Sequence, residues 1–143
     1  MDITTATIRF TRTLSDLANK IASADAGDII DLDANYTYIE EFDSAYVNGI
    51  VIDKALTING NGHTISGSNA ARIFKVNSGF TLILNNVTVR DGRSDAYGGA
   101  IYSEGNLNIK NSEFIENAVV GSVVAPYGDG TRRLIWINEY TKN

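Results

Sequence analysis

The chain repeats itself about every 25 residues, and this limits its possible folds more than any motif it carries. Leu56 and Ile58, Leu82 and Leu84, and Leu107 and Ile109 are three apolar pairs, each separated by one residue and followed by polar residues. Leu56 to Leu82 is a step of 26 residues, and Leu82 to Leu107 a step of 25. A second short apolar segment follows each pair, at Ile65, at Val87 and Val89, and at Phe114. A third precedes the next repeat, at Phe74 and Val76 and then at Ile101. Three short strands per period form the grammar of a solenoid, in which no repeat can bury its apolar side alone.

The expected fold class is therefore all-β: a right-handed single-stranded parallel β-helix of about three coils with an N-terminal amphipathic capping helix. Equivalent strands would pair in parallel at about 4.8 Å. Leu56, Leu82 and Leu107 would form one core column, and Ile58, Leu84 and Ile109 another. Asn59, Asn85 and either Lys110 or Asn111 would turn the corner, because Asn tolerates left-handed backbone and can bond to its counterpart one coil away. Gly98 and Gly99 would permit close backbone approach. The competing fold is an antiparallel meander with Asn and Gly at hairpin turns. It would not require the same three-strand grammar at near-constant spacing.

Residues 1–143 read as a single domain in three parts: an N-terminal cap (1–50), regular coils (51–118) and a divergent end (119–143). A helix near 14–26 places Leu14, Leu17, Ala18 and Ile21 on one face. Thr13 and Asp16 suggest a capping box, and Gly27 a left-handed C-cap. Such a helix would cover the open end of the first coil, whose strand edges would otherwise pair with other molecules. At the other end, Ile135 and Ile137 could take the Leu82 and Leu84 roles in a last coil. Alternatively Val119–Ala125 could pair with Thr131–Tyr140 as a capping hairpin.

A formal net charge of −5 argues against a nucleic-acid partner, which needs clustered Lys and Arg. The nearest basic feature, Thr131–Arg133, reads as a solvated turn. Without cysteine there is neither a disulfide framework nor a thiolate metal site. No apolar run reaches membrane-spanning length, and the first ten residues show no signal-peptide pattern.

"KALTINGNGHTISG", "LNNVTVRDG" and "GGAIYSEGNLNIKNSEFIENAV" resemble the repeats of adhesin-like surface proteins of methanogenic archaea. They are also similar to the polymorphic outer-membrane and pectin-lyase-like β-helix group. The helix followed by "AGDIIDLDANYTY" resembles the N-terminal cap of those proteins. The resemblance spans roughly residues 10–120. It implies a right-handed β-helix, an extracellular or cell-surface setting and a role in attachment, and it transfers no catalytic residues.

Three kinds of site can be weighed from the residues. Polysaccharide cleavage by hydrolysis needs two carboxylates about 5–9 Å apart. Stacked coils would bring Asp91 near Glu116, although solvated turn charges are the simpler account of both. Metal binding could use Asp31, Asp33, Glu40, Glu41 and Asp43, but their spacing matches no calcium loop, so a solvated acidic face is expected and no metal or cofactor. The lone His63 cannot anchor a His cluster, and Gly60, Gly62 and Gly67 lack the following helix that a phosphate cradle requires.

Binding could instead use Tyr and Trp as flat platforms for sugars or proteins. Tyr36, Tyr38, Tyr46, Tyr97, Tyr102, Tyr127, Trp136 and Tyr140 exceed what a narrow core needs. Tyr97, Tyr102 and Tyr127 are the binding candidates. Of two glycosylation-type sequons, Asn35 is the expected acceptor and Asn86 a corner residue. The expected function is a non-enzymatic cell-surface module, a rigid spacer or a binding face for a glycan or surface protein. The alternatives are a polysaccharide lyase or glycosidase-like fragment and a scaffold that self-associates through its end strands.

Overall fold

The computed structural model describes residues 12–95 and 98–119, together with the backbone of 135–137. The chain begins with β1 (Arg12–Thr13), α1 (Leu14–Ser23), β2 (Ile29–Asp31), β3 (Tyr36–Thr37) and a one-turn α2 (Glu40–Asp43). A 3₁₀ turn at Ser44–Tyr46 leads to β4 (Asn48–Ile52), β5 (Leu56–Asn59), β6 (Thr64–Ser66) and β7 (Arg72–Val76). Then come β8 (Thr81–Asn85), β9 (Thr88–Arg90), β10 (Arg93–Ser94) and β11 (Ile101–Ser103). The last strands are β12 (Asn106–Lys110), β13 (Glu113–Ile115), β14 (Ala118–Val119) and β15 (Ile135–Ile137). Strands dominate, as the period implies.

The strands form parallel sheets whose neighbours lie one repeat apart. One sheet has the order β12-β8-β5-β2, a second β1-β3-β6-β9-β13, and a third β15-β11-β7-β4. Leu56 pairs with Leu82 and Leu82 with Leu107, while Ile58 pairs with Leu84 and Leu84 with Ile109. In the second sheet Tyr36, Ile65, Val89 and Phe114 occupy one register position in successive strands. In the third, Ile50, Phe74 and Ile101 do the same. All of these positions face one hydrophobic core. Leu82 and Leu84 are wholly buried, whereas Leu107 and Ile109 in the outermost strand β12 are half-buried. The sequential neighbours β5 and β6 belong to different sheets, so the meander is excluded there.

α1 adds Leu14, Leu17, Ala18 and Ile21 to this core. The Thr13–Asp16 capping box is formed, with Asp16 N–H donating to Thr13 Oγ1 and Thr13 N–H to Asp16 Oδ2. The helix stops earlier than expected, with Ala24 as an extended C-cap at φ −84°. Gly27 does adopt a left-handed φ of +90°, but it lies beyond the helix and donates its N–H to Ala55 O, so it is not the C-cap. Lys54 takes that role instead: its Nζ donates to Ile21 O and Ala24 O at 3.0 and 2.8 Å. Carbonyls left open at a helix end accept from a cation equally well.

The corners also differ in detail from the sequence reading. The left-handed residue after β8 is Asn86 (φ 56°), not Asn85, while after β12 it is Asn111 (φ 51°), one of the two residues expected there. Asn59 does bond to its counterpart in the adjacent strand, but that counterpart is Asp31, whose Oδ1 accepts from Asn59 Nδ2 at 2.9 Å. Gly98 (φ 63°) and Gly99 sit where added Cβ atoms would strike Ile101 O and Ala118 O, so close approach is their role.

β15 pairs antiparallel with β11, placing 137 opposite Ile101 and 135 opposite Ser103. Ile135 and Ile137 therefore do not continue the Leu82 and Leu84 columns. The remainder of the proposed 119–143 hairpin lies outside the described residues, apart from Val119, which pairs with Ser94.

Candidate functional site

Asp91 and Glu116 occupy equivalent corners, after β9 and β13, and both adopt left-handed φ (54° and 55°). Asp91 N–H donates to Ile115 O, which fixes the two corners one rung apart. The sequence therefore brings the pair together as expected. Between them lies Arg90, which donates from Nε to Asp91 Oδ2 and from Nη2 to Glu116 Oε1, each at 2.9 Å. One oxygen of each carboxylate is thus committed to a guanidinium. An arrangement of this kind ties adjacent rungs together. Hydrolysis instead needs one carboxyl free to give a proton and another free to face a sugar or water.

The acidic segment is dispersed by the fold. Asp31 bonds to Asn59, Asp33 accepts from Tyr36 Oη at 3.0 Å, and Glu40 from Tyr38 Oη at 3.3 Å. Asp43 is fully buried, and its carboxylate receives Leu14 N–H, Ser15 N–H, Ser15 Oγ–H and Ile39 N–H. Desolvation acts to raise its pKa, but the bonds from Ser15, Ile39 and Leu14 outweigh it and the net shift is downward. Asp43 is thus a second N-terminal cap for α1, supplied from 29 residues away. Among the described residues no group of His, Cys, Asp and Glu side chains could hold a metal ion.

The tyrosines divide. Tyr36 and Tyr38 are core residues, 0% and 3% exposed, so neither is a platform. Burial, then the bond to Asp33, raises the Tyr36 phenol pKa; burial, then the charge of Glu40, raises that of Tyr38. Tyr97 and Tyr127 lie outside the described residues. Tyr102 is half-buried on the outward side of β11, in a row with Lys75 and Val51.

Two cations lie beside the Tyr102 ring, Arg72 Cζ at 5.4 Å and Lys75 Nζ at 6.0 Å from its centroid. Lys75 also contacts Glu104 at 3.7 Å and Asn77 Oδ1 at 3.0 Å. Arg72 is buried, and desolvation holds its pKa below the ordinary value. It donates to Gly98 O, Asn48 O and Ser94 Oγ, joining β4 to the excursion between β9 and β11. Sequence reasoning passed over Arg72, and the only signal was an Arg opening a strand whose inward positions are apolar.

The sequons are ranked differently by the structure. Asn35 is exposed, but its Oδ1 accepts Thr64 N–H at 2.9 Å. Asn86 is exposed at a turn, with no side-chain hydrogen bond among the described residues. A polar cleft of about 410 Å³ opens beside it, and a more apolar one of about 510 Å³ lies between α1 and β4, bordered by Ala18, Ile21, Tyr46, Ile50 and Lys54. Neither includes Asp91 or Glu116.

Comparison with protein-family models, with characterised proteins and with solved structures gives no match for this chain.

Proposed function

We propose that the chain is a non-enzymatic binding module: a right-handed single-stranded parallel β-helix of about three coils, of the cell-surface adhesin-like kind, that displays side chains on a rigid frame. The observation that carries this reading is the Arg90 bridge. It places a structural ion pair where a carbohydrate-cleaving reading needs working carboxylates. The outward positions supply binding chemistry instead, with Tyr102, Lys75, Glu104 and Asn77 grouped on one face.

An extracellular setting and a glycan or surface-protein partner follow from the repeat resemblance. A screen against glycan and matrix-protein arrays tests the proposal, run beside lyase and hydrolase assays on acidic and neutral polysaccharides. The expected result is binding without turnover. Turnover that disappears in Asp91→Ala would replace this reading with the enzymatic one.

A second reading, self-association through end strands, is favoured by one observation. Strands β12 and β13 are outermost in their sheets, and β12 carries the half-buried Leu107 and Ile109. The end strand of a sheet is the place where another chain can add a strand.

A further inference from the structure

We infer that the polar cleft at the β8–β9 and β12–β13 corners is a binding site for a neutral, hydroxyl-rich ligand of the size of one or two sugar rings. The inference rests on the binding-module reading and names its site and ligand class.

The cleft exists because the corners differ in length. Between β5 and β6 the chain runs through Gly60, Asn61, Gly62 and His63, whereas only Asn86 and Val87 separate β8 from β9, and only Asn111 and Ser112 separate β12 from β13. The longer corner leaves Gly62 on the rim of a hollow of about 410 Å³ formed with the two shorter corners.

The framework is fixed by hydrogen bonds. Gly62 N–H donates to Asn86 O at 2.9 Å, Asn86 N–H to Lys110 O at 3.0 Å, and Glu113 N–H to Val87 O at 3.0 Å. Val87 N–H is taken by the side chain of Ser112, which is itself buried. With these backbone groups paired, side chains are left to meet a ligand. The Asn86 amide, the Thr88 hydroxyl and the Glu113 carboxylate line the cleft and make no side-chain hydrogen bond among the described residues. Together they offer an amide donor and acceptor, a hydroxyl and a strong acceptor within one concavity.

The charge decides the ligand class. Among the described residues Glu113 is the one charged residue lining the cleft, and neither Lys nor Arg lines it. A phosphate, sulfate or uronate would meet a carboxylate without a compensating cation, and like charges repel. A neutral polyol meets no such penalty, and its hydroxyls both donate and accept. The cation-flanked Tyr102 face has the opposite character, so the two sites predict different ligands.

Saturation-transfer and amide-shift NMR with methyl glucoside, methyl galactoside, methyl mannoside and glucuronate tests this on the whole chain. At least one neutral glycoside should bind, with the largest shifts at Asn86, Thr88 and Glu113, and more tightly than glucuronate. Gly62→Asn keeps a residue that tolerates the local φ of +83° and puts its side chain into open space on the rim, so it should abolish binding. Glu113→Gln, at an exposed position without a side-chain bond, should weaken binding on the order of tenfold while leaving the fold intact.

Glucuronate binding as tightly as the neutral sugars would overturn the ligand class. Neutral-sugar binding that survives Gly62→Asn and Glu113→Gln but is lost in Tyr102→Ala would overturn the site and spare the module reading. No binding of any neutral glycoside overturns the inference, while binding elsewhere on the glycan and matrix arrays would still uphold the module.

Discussion

At the residue scale, the positions that matter most are those where one side chain serves backbone from a distant part of the chain. Asp43 is the clearest. It satisfies two N–H groups at the start of α1 and one at Ile39, in a place closed to water. Removing it strands buried donors, so Asp43→Ala should cost about 2–4 kcal/mol in denaturant titrations, and Asp43→Asn less. Its folded pKa lies below the ordinary 3.8, so its contribution is complete above the unfolded value and fades as pH falls through the folded one. The wild-type denaturation midpoint should therefore drop more between about pH 5 and pH 2 than that of Asp43→Asn. An identical pH dependence in the two proteins would show that the bonds carry no weight. Gly99 makes the steric counterpart. A methyl there would meet Ala118 O, so Gly99→Ala should cost about 1–3 kcal/mol, measurable as a lowered melting temperature.

At the element scale, the strands were legible and their ends were not. The two-residue alternation in Leu82–Leu84 reflects a local rule, that side chains of a strand point to opposite faces, so the sequence carried it openly. Register followed from the period, because a one-residue slip would turn every apolar side chain outward. Long-range contacts leave no such trace. The Lys54 cap of α1 joins residues 33 and 30 apart in sequence, and the Arg72 bonds to Gly98 and Ser94 span 26 and 22. Gly27 misled because glycine at a helix end and glycine at a loop crossing look alike in one dimension. Of the site residues, the pairing of Asp91 with Glu116 was legible from the 25-residue step, but the intervening Arg90 was not given its place. The corner cleft was hidden because it arises from a two-residue difference between turns, not from any motif. Position within the stack should also grade the core. Leu84→Ala, wholly buried, should cost about 3–5 kcal/mol, while Ile109→Ala in the outermost strand should cost clearly less. Equal losses in urea titrations would mean that β12 is covered as fully as β8.

At the scale of the whole molecule, parallel sheets whose strands pair in register one repeat apart hold each outward residue at a set height. That suits display better than a reaction needing two carboxylates to exchange protons and water. It also leaves edges, and the self-association reading can be separated from simple display by light scattering across a range of concentrations. Growth in mass that stops in Ile109→Lys would favour association through β12, and a constant monomer mass would remove it.

All of these proposals depend on strands one repeat apart lying side by side in parallel. The chain has no cysteine of its own, so paired cysteines report this directly. Thr57 and Ile83 are register partners in β5 and β8. Parallel neighbours lie about 4.8 Å apart, within the Cα separation of about 4.4–6.8 Å that a disulfide accepts. Thr57→Cys with Ile83→Cys should therefore oxidise readily to an intramolecular disulfide in the folded protein, while Thr57→Cys with Ser66→Cys, the pair that a β5–β6 hairpin would bring together, should stay reduced. The opposite outcome would contradict the stack and everything built on it.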